Sequence, residues 1–119
     1  MLFSFSTNLI AKETSSVREE EKLSNPPLPP ENFFGKQVCN TIHNRTFIAN
    51  LLLWTTSNDP SVIGYYLYRN GELIAVIPAH DPLTYEDNNR KKRFGDIYHI
   101  TSVNEEGLQS IPLILVLPN

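Results

Sequence analysis

Hydrophobic and polar positions divide this 119-residue chain into regions of different character. Residues 1–10 are largely apolar. Residues 11–25 are mostly Lys, Glu, Ser, Thr and Arg, with Glu19, Glu20 and Glu21 in a row and Val17 and Leu23 the only sizeable apolar side chains. Such a segment has no face to bury, which predicts a flexible arm or at most a short solvated helix. Pro26-Pro27-Leu28-Pro29-Pro30 then fixes several φ values near −65° and favours polyproline II, a stiff spacer. Beyond Glu31 the pattern becomes short runs of Val, Ile, Leu, Tyr, Phe and Thr between clusters of Asn, Asp, Pro and Gly. These predict strands at 33–38, 47–55, 62–69, 72–77, 83–87, 98–104 and 111–117. The third and fourth are joined by Asn70-Gly71, two residues that tolerate the positive φ of a type I′ hairpin turn. Seven short strands without a helical period predict an all-β sandwich or barrel with sequential antiparallel pairing.

Alternation is incomplete in two of these strands. In 47–55, a pleat that sends Leu52 and Trp54 inward sends Leu51 and Leu53 out of the same sheet, and 111–117 is apolar on both faces. An antiparallel sheet with one wet face should alternate. Either these are scattered surface leucines, or something covers that edge: the Leu2-Phe3-Ser4-Phe5 segment, a neighbouring domain or a protein partner. Leu51 and Leu53 are therefore candidate partner-binding residues. Tyr66, Tyr68, His99 and Thr101 should point outward together on the other sheet. Tyrosine joins a large apolar body to a polar tip, which suits recognition of protein or sugar. Cross-strand packing of surface aromatics, at roughly 0.2–1 kcal/mol per pair, is the plainer alternative.

In order and spacing these segments resemble a fibronectin type III domain over residues 27–117. The resemblance rests on the Pro-x-x-Pro start, Leu52-Leu53-Trp54, Ile63-Gly64-Tyr65-Tyr66-Leu67-Tyr68-Arg69-Asn70-Gly71, Tyr85-Glu86-Asp87, Tyr98-His99-Ile100-Thr101-Ser102-Val103-Asn104, Gly107 and Ser110-Ile111-Pro112. It implies an immunoglobulin-like sandwich of seven antiparallel strands in sheets of three and four, spanning residues 27–119 behind an arm at 1–26. It places Trp54 in the centre of the core, with Leu52, Tyr65, Leu67, Ile100 and Ser102 facing inward. Tyr98 becomes the corner tyrosine, buried, with its hydroxyl bonded to backbone across the preceding turn. The usual Leu-x-Pro-Gly-Thr before that tyrosine is replaced here by Asn89-Arg90-Lys91-Lys92-Arg93-Phe94-Gly95-Asp96. The family carries no conserved chemical site, so the resemblance implies a non-catalytic interaction or spacer module of a larger or surface-associated protein. The Tyr-Leu-Tyr-Arg-Asn-Gly hairpin is similar to type III modules attached to bacterial carbohydrate-active and surface proteins. That adds a carbohydrate-binding accessory module as the alternative, and an extracellular or cell-surface setting.

Composition narrows the chemistry. The length suits one domain. A net charge of −3 offers no field for nucleic acid, and no run approaches the roughly 20 apolar residues of a membrane helix. Residues 1–10 lack a basic stretch before their apolar run, so no signal peptide is expected. The single Cys39 excludes an internal disulfide and a multi-thiolate zinc site. His43, His80 and His99 have no ligand-type partner at i+2 or i+4, so neither a metal nor a cofactor is expected. Cys39 with His43 is the one conceivable nucleophile pair, without an orienting acid or an oxyanion-hole element nearby. Arg90, Lys91, Lys92 and Arg93 form a concentrated basic run, read as a solvated loop or a polyanion contact. Asp87 and Asp96 would partly cancel it. Asn44-Arg45-Thr46 matches the glycosylation sequon, as short motifs often do by chance.

Overall fold

A computed structural model describes residues 25–119 apart from Arg93. Residues 1–24 of the arm expected at 1–26, the cover by Leu2 to Phe5 and Arg93 as a polyanion contact lie outside the described residues. The chain forms strands β1 (Glu31–Ile42), β2 (Arg45–Thr55), β3 (Val62–Arg69), β4 (Glu72–Pro78), β5 (Thr84–Asp87), β6 (Asp96–Asn104) and β7 (Leu113–Leu117). They pair antiparallel in two sheets, ordered β1-β2-β5 and β4-β3-β6-β7. This is the three-plus-four sandwich that the resemblance implies.

Asn70 (φ 51°) and Gly71 (φ 87°) make the β3–β4 turn, as their positive φ values require. A second two-residue turn, His43 (φ 51°) and Asn44 (φ 65°), joins β1 to β2. Both strands are therefore longer than their alternation indicates. Residues 39–47 are exposed on both faces of a two-stranded ribbon, with Asn40 opposite Phe47 and Thr41 opposite Thr46. Pairing alone specifies the ribbon, because neither face is buried and no alternation is needed. Cys39, His43 and the sequon Asn44 all lie on it, in the open.

The core is layered along β2, whose inward positions are Asn50, Leu52 and Trp54. Trp54 packs edge-on against Phe33 and Tyr65, with ring centroids 6.4 and 6.0 Å away. Leu52, Leu67 and Ile100 are fully buried, and Trp54, at 3% exposure, belongs to the same core cluster. At the other end Asn50 sits opposite Asp87 of β5, close to Tyr98 of β6. Gly35 lies where β1 passes β7, and a Cβ there would collide with the Leu51 carbonyl oxygen and crowd Leu117 Cδ1.

The proline segment is tied to the β2–β3 connection. The Leu28 N–H donates to Asp59 Oδ2 (3.0 Å), and Ser57 Oγ donates to the Leu28 carbonyl (2.8 Å). Backbone N–H groups of Ser61 and Leu28 hold the Asp59 carboxyl below the usual range.

Topology corrects one grouping. Leu51 and Leu53 lie on the outer face of the three-stranded sheet, whereas Ile114 and Val116 of β7 lie on the outer face of the four-stranded sheet. They are not one edge, because β2 and β7 belong to different sheets.

Candidate functional site

The outer face of the four-stranded sheet follows from the pairing register. Tyr65, Leu67, Tyr98 and Ile100 point into the core, so their neighbours Tyr66, Tyr68, Ile97 and His99 point out. Tyr68 stands opposite both Leu73 and His99, and His99 stands opposite Ile114. One row across all four strands therefore reads Leu73, Tyr68, His99, Ile114. Val76, Tyr66 and Thr101 form a parallel row on one side, and Ile97 with Val116 flanks the other. Leu73, Val76, Ile97, Ile114 and Val116 are 47, 60, 43, 61 and 46% exposed. His99 is the one ionisable imidazole on this face, which carries no carboxylate, ammonium or guanidinium at the positions named.

Of the residues expected outward here, Tyr66, Tyr68 and His99 are half-buried and accessible. Thr101 is not, at 5% exposure. Gln109, opposite Val103, lays its side chain across the sheet, and its Oε1 accepts both the Thr101 hydroxyl and the Tyr68 hydroxyl at 2.8 Å. Leu73, Val76, Ile97 and Ile114 were not anticipated as contact residues. A bulge between Leu67 and Tyr68 explains part of this, because it shifts the phase of β4, turning Ile74 and Ala75 toward the core and leaving Leu73 outside.

The opposite outer face is less uniform. Leu53 is exposed beside Phe34, but Leu51 is half-buried between Lys36 and Glu86. Beyond it, Val38, Ala49, Phe47 and Ile42 line a shallow concavity of about 270 Å³ that Glu86, Asn88 and Asn89 close on one side.

A second constellation closes one end of the sandwich. Tyr98, fully buried, donates its hydroxyl to Asp87 Oδ2 (2.5 Å) and accepts from Asn50 Nδ2 (2.7 Å). Arg69 Nη1 donates to Asp87 Oδ1 (2.7 Å). Arg90 grips Asp96 with two bonds, Nε to Oδ2 at 3.0 Å and Nη2 to Oδ1 at 2.9 Å, and lies 3.6 Å from Asp87. Asn70 Nδ2 and Asn50 Nδ2 also donate to Asp96, at 3.1 and 3.2 Å. Two carboxylates face two guanidinium groups, so the cluster is neutral and its burial is tolerated. Arg90 holds the Asp96 carboxyl below its usual range, and Asp96 in turn raises Arg90. Burial first, then the bond to Asp87, pushes the Tyr98 phenol well above its ordinary value.

Two expectations are corrected here. The Tyr98 hydroxyl bonds side chains, not backbone, because Asn50 and Asp87 bring polar partners into the space that a backbone turn would fill. Arg90 is no free polyanion contact, since its guanidinium is spent on Asp96 and Asp87 and its side chain is only 20% exposed. Lys91 and Lys92 remain exposed, with Lys91 Nζ 5.7 Å from the Phe94 ring centroid. Among the described residues no cluster of three His, Cys, Asp or Glu could hold a metal ion, and no helix is long and apolar enough to cross a membrane.

No protein-family model matches this sequence, and no curated protein matches it either. Solved structures do. The central fibronectin-III array of RIM-binding protein aligns over 81% of this chain with a TM-score of 0.64 at 14% identity. The spore cortex lytic enzyme SleM of Clostridium perfringens aligns over 76% (TM-score 0.54, 16% identity). Pectate lyase PelI of Erwinia chrysanthemi aligns over 71% (TM-score 0.51, 20% identity). The matches cover 36, 29 and 27% of those chains, so this chain spans about a third of the proteins it resembles. At these identities the likeness shows the fold alone: a fibronectin type III sandwich.

Proposed function

We propose that this chain is a non-catalytic interaction module whose contact surface is the outer face of the four-stranded sheet. The observation that carries the reading is the row Leu73, Tyr68, His99, Ile114, flanked by Val76, Ile97 and Val116: an accessible, nearly uncharged, aromatic-centred patch on a rigid sheet. Aromatic-rich patches poor in charge are typical of the centres of protein interfaces. The match to a fibronectin-III array supports a module that works beside others in a longer protein, and a surface or extracellular setting fits that reading. A photo-crosslinking residue placed at Val76 should capture a protein partner in cells of the source organism. The same residue at Lys36, on the opposite outer face, should not. Equal capture from both positions, or none from Val76, would sink the proposal.

A second reading, an accessory module for polysaccharide, is favoured by the half-buried Tyr66 and Tyr68 side by side and by the fold shared with a cortex lytic enzyme and a pectate lyase. Retention on a glycan array that disappears in Tyr66→Ala would support it.

A further inference from the structure

We infer that the groove on the outer face of the three-stranded sheet is covered by this chain's own N-terminal segment, with Phe3 and Phe5 seated in it. The inference is independent of the contact surface proposed above, which lies on the other sheet. The groove exists because one strand stops early. The outward positions of β2 read Phe47, Ala49, Leu51 and Leu53, an apolar stripe along the strand. β5 flanks that stripe only where it pairs, from Asn50 to Leu53. Past Asn50 no strand flanks this side of β2 among the described residues, and Ala49, the smallest side chain of the stripe, makes the floor dip. The dip is the concavity of about 270 Å³ lined by Val38, Phe47 and Ala49 and closed by Glu86 and Asn88. An apolar cavity of about 150 Å³ takes a benzene ring, so a phenylalanine ring has room here.

The pattern of the N-terminal segment matches that floor. Phe3-Ser4-Phe5-Ser6 alternates apolar and polar, so in extended form both rings lie on one side and both hydroxyls on the other. The rings are then about 7 Å apart, the spacing of Ala49 and Leu51 along β2. One ring fills the dip, the other packs on the next apolar side chain of the stripe, and the serines face water. No charged side chain precedes Lys12, so the segment lies between Lys36 on one rim and Glu86 on the other without burying a charge.

The length of chain outside the described residues also fits. The described chain starts at Asn25, close to where Leu28 is fastened to Ser57 and Asp59 at the Trp54 end of β2, the end at which Phe34 and Leu53 stand exposed. Residues 6–24 separate Phe5 from that point and span up to roughly 60 Å when extended, more than the roughly 40 Å of β1. Two rings make too small a contact to hold a separate molecule. A segment tethered at this length is present at an effective concentration of order millimolar, at which such a contact suffices.

The single cysteine provides the test. Cys39 is exposed and sits between Val38 and Asn40, which line the concavity. A nitroxide spin label on Cys39 of the full chain should broaden away the amide NMR signals of residues 2–6, and reducing the label should return them. Phe3→Ser with Phe5→Ser keeps the tether, leaves residues 25–119 untouched and should keep those signals sharp. The same label at Ile114, on the other outer face, in a chain carrying Ile114→Cys and Cys39→Ser, should also leave them sharp. Signals of residues 2–6 that stay sharp with the label on Cys39, or broadening that survives the double serine variant, would overturn the inference. So would equal broadening from position 114, or broadening seen only between a labelled molecule and a second, isotope-enriched one, which would make the occupant another copy. None of these outcomes bears on the crosslink from Val76, so this inference and the proposed contact surface fail separately.

Discussion

The two ends of the core, four positions apart along β2, are built on opposite principles. At the Trp54 end, Phe33, Tyr65 and Trp54 pack ring edge to ring face, and cohesion comes from area removed from water and from dispersion. At the Asn50 end, Tyr98, Asp87, Asp96, Arg69 and Arg90 are joined by directional bonds of 2.5 to 3.2 Å. The apolar end is the one with loose polar atoms. Trp54 Nε1 and Ser102 Oγ are the buried side-chain polar atoms without a hydrogen-bond partner among the described residues. The polar end has none, and its bonds also pin the loop that crosses from β5 to β6, through the Arg90 N–H to the Ile48 carbonyl (2.9 Å) and the Arg90 guanidinium to Asp96. Packing supplies stability without fixing direction, whereas the bonded layer determines where a long crossing loop must lie.

The largest test of this contrast is Trp54→Ala. Removing a ring that is 3% exposed should cost roughly 3–5 kcal/mol, a large share of what a domain of this size has. Urea unfolding followed by circular dichroism measures it. A loss below about 1 kcal/mol would mean that the rings of Phe33 and Tyr65 close the gap and that this end is not held by packing.

Tyr98→Phe probes the other end at nearly constant volume. It leaves Asn50 Nδ2 and Asp87 Oδ2 each short of one bond and should cost about 1–3 kcal/mol near neutral pH. The cost should also depend on pH, with a definite sign. The folded phenol titrates above its ordinary value of about 10, so its contribution is complete below that pH and is lost as the unfolded chain, but not the folded one, releases the proton. The gap between wild type and Tyr98→Phe should therefore narrow in unfolding curves taken from about pH 9 upward. A gap that stays constant there would mean the hydroxyl is not held as its bonds to Asp87 and Asn50 indicate.

The same contrast explains what could be read in the sequence. Leu52, Trp54, Tyr65, Leu67 and Ile100 were legible because a strand buried on one face alternates, and alternation is visible without knowing its neighbours. Asn50 was not, since an asparagine within the 47–55 run carries no sign of the partners that make its burial possible. Its meaning depends on register with Asp87, a residue from a strand that is not its sequence neighbour. The ribbon around His43 and Asn44 was invisible for the converse reason: with both faces wet, nothing in its pattern marks it. On the proposed contact face, Tyr66, Tyr68 and His99 were placed correctly by period alone. Leu73 was hidden by the bulge in the β3–β4 pairing, and Ile114 by a strand apolar on both sides, whose sheet could not be assigned before the topology was known.

The smallest expected effect sharpens the comparison most, because its sign differs between two serines of one bridge. Ser102 and Ser110 face each other where β6 meets the segment before β7. The Ser110 N–H donates to the Ser102 carbonyl (2.9 Å), and the Ser102 N–H donates to Ser110 Oγ (2.9 Å), which itself donates to the Ile111 carbonyl (2.8 Å). Ser102 Oγ, by contrast, is buried with no partner. Ser102→Ala removes an unpaired hydroxyl, keeps both backbone bonds and leaves a void of one oxygen atom, so it should raise stability by about 0.5–1 kcal/mol. Ser110→Ala strands the Ser102 N–H and should cost about 1 kcal/mol or more. Denaturation midpoints of the two variants, compared at a shared m-value, give the signs directly. A Ser102→Ala variant less stable than wild type would show that this hydroxyl is satisfied in solution, and the apolar end would then depend on hydrogen bonds as the Tyr98 end does.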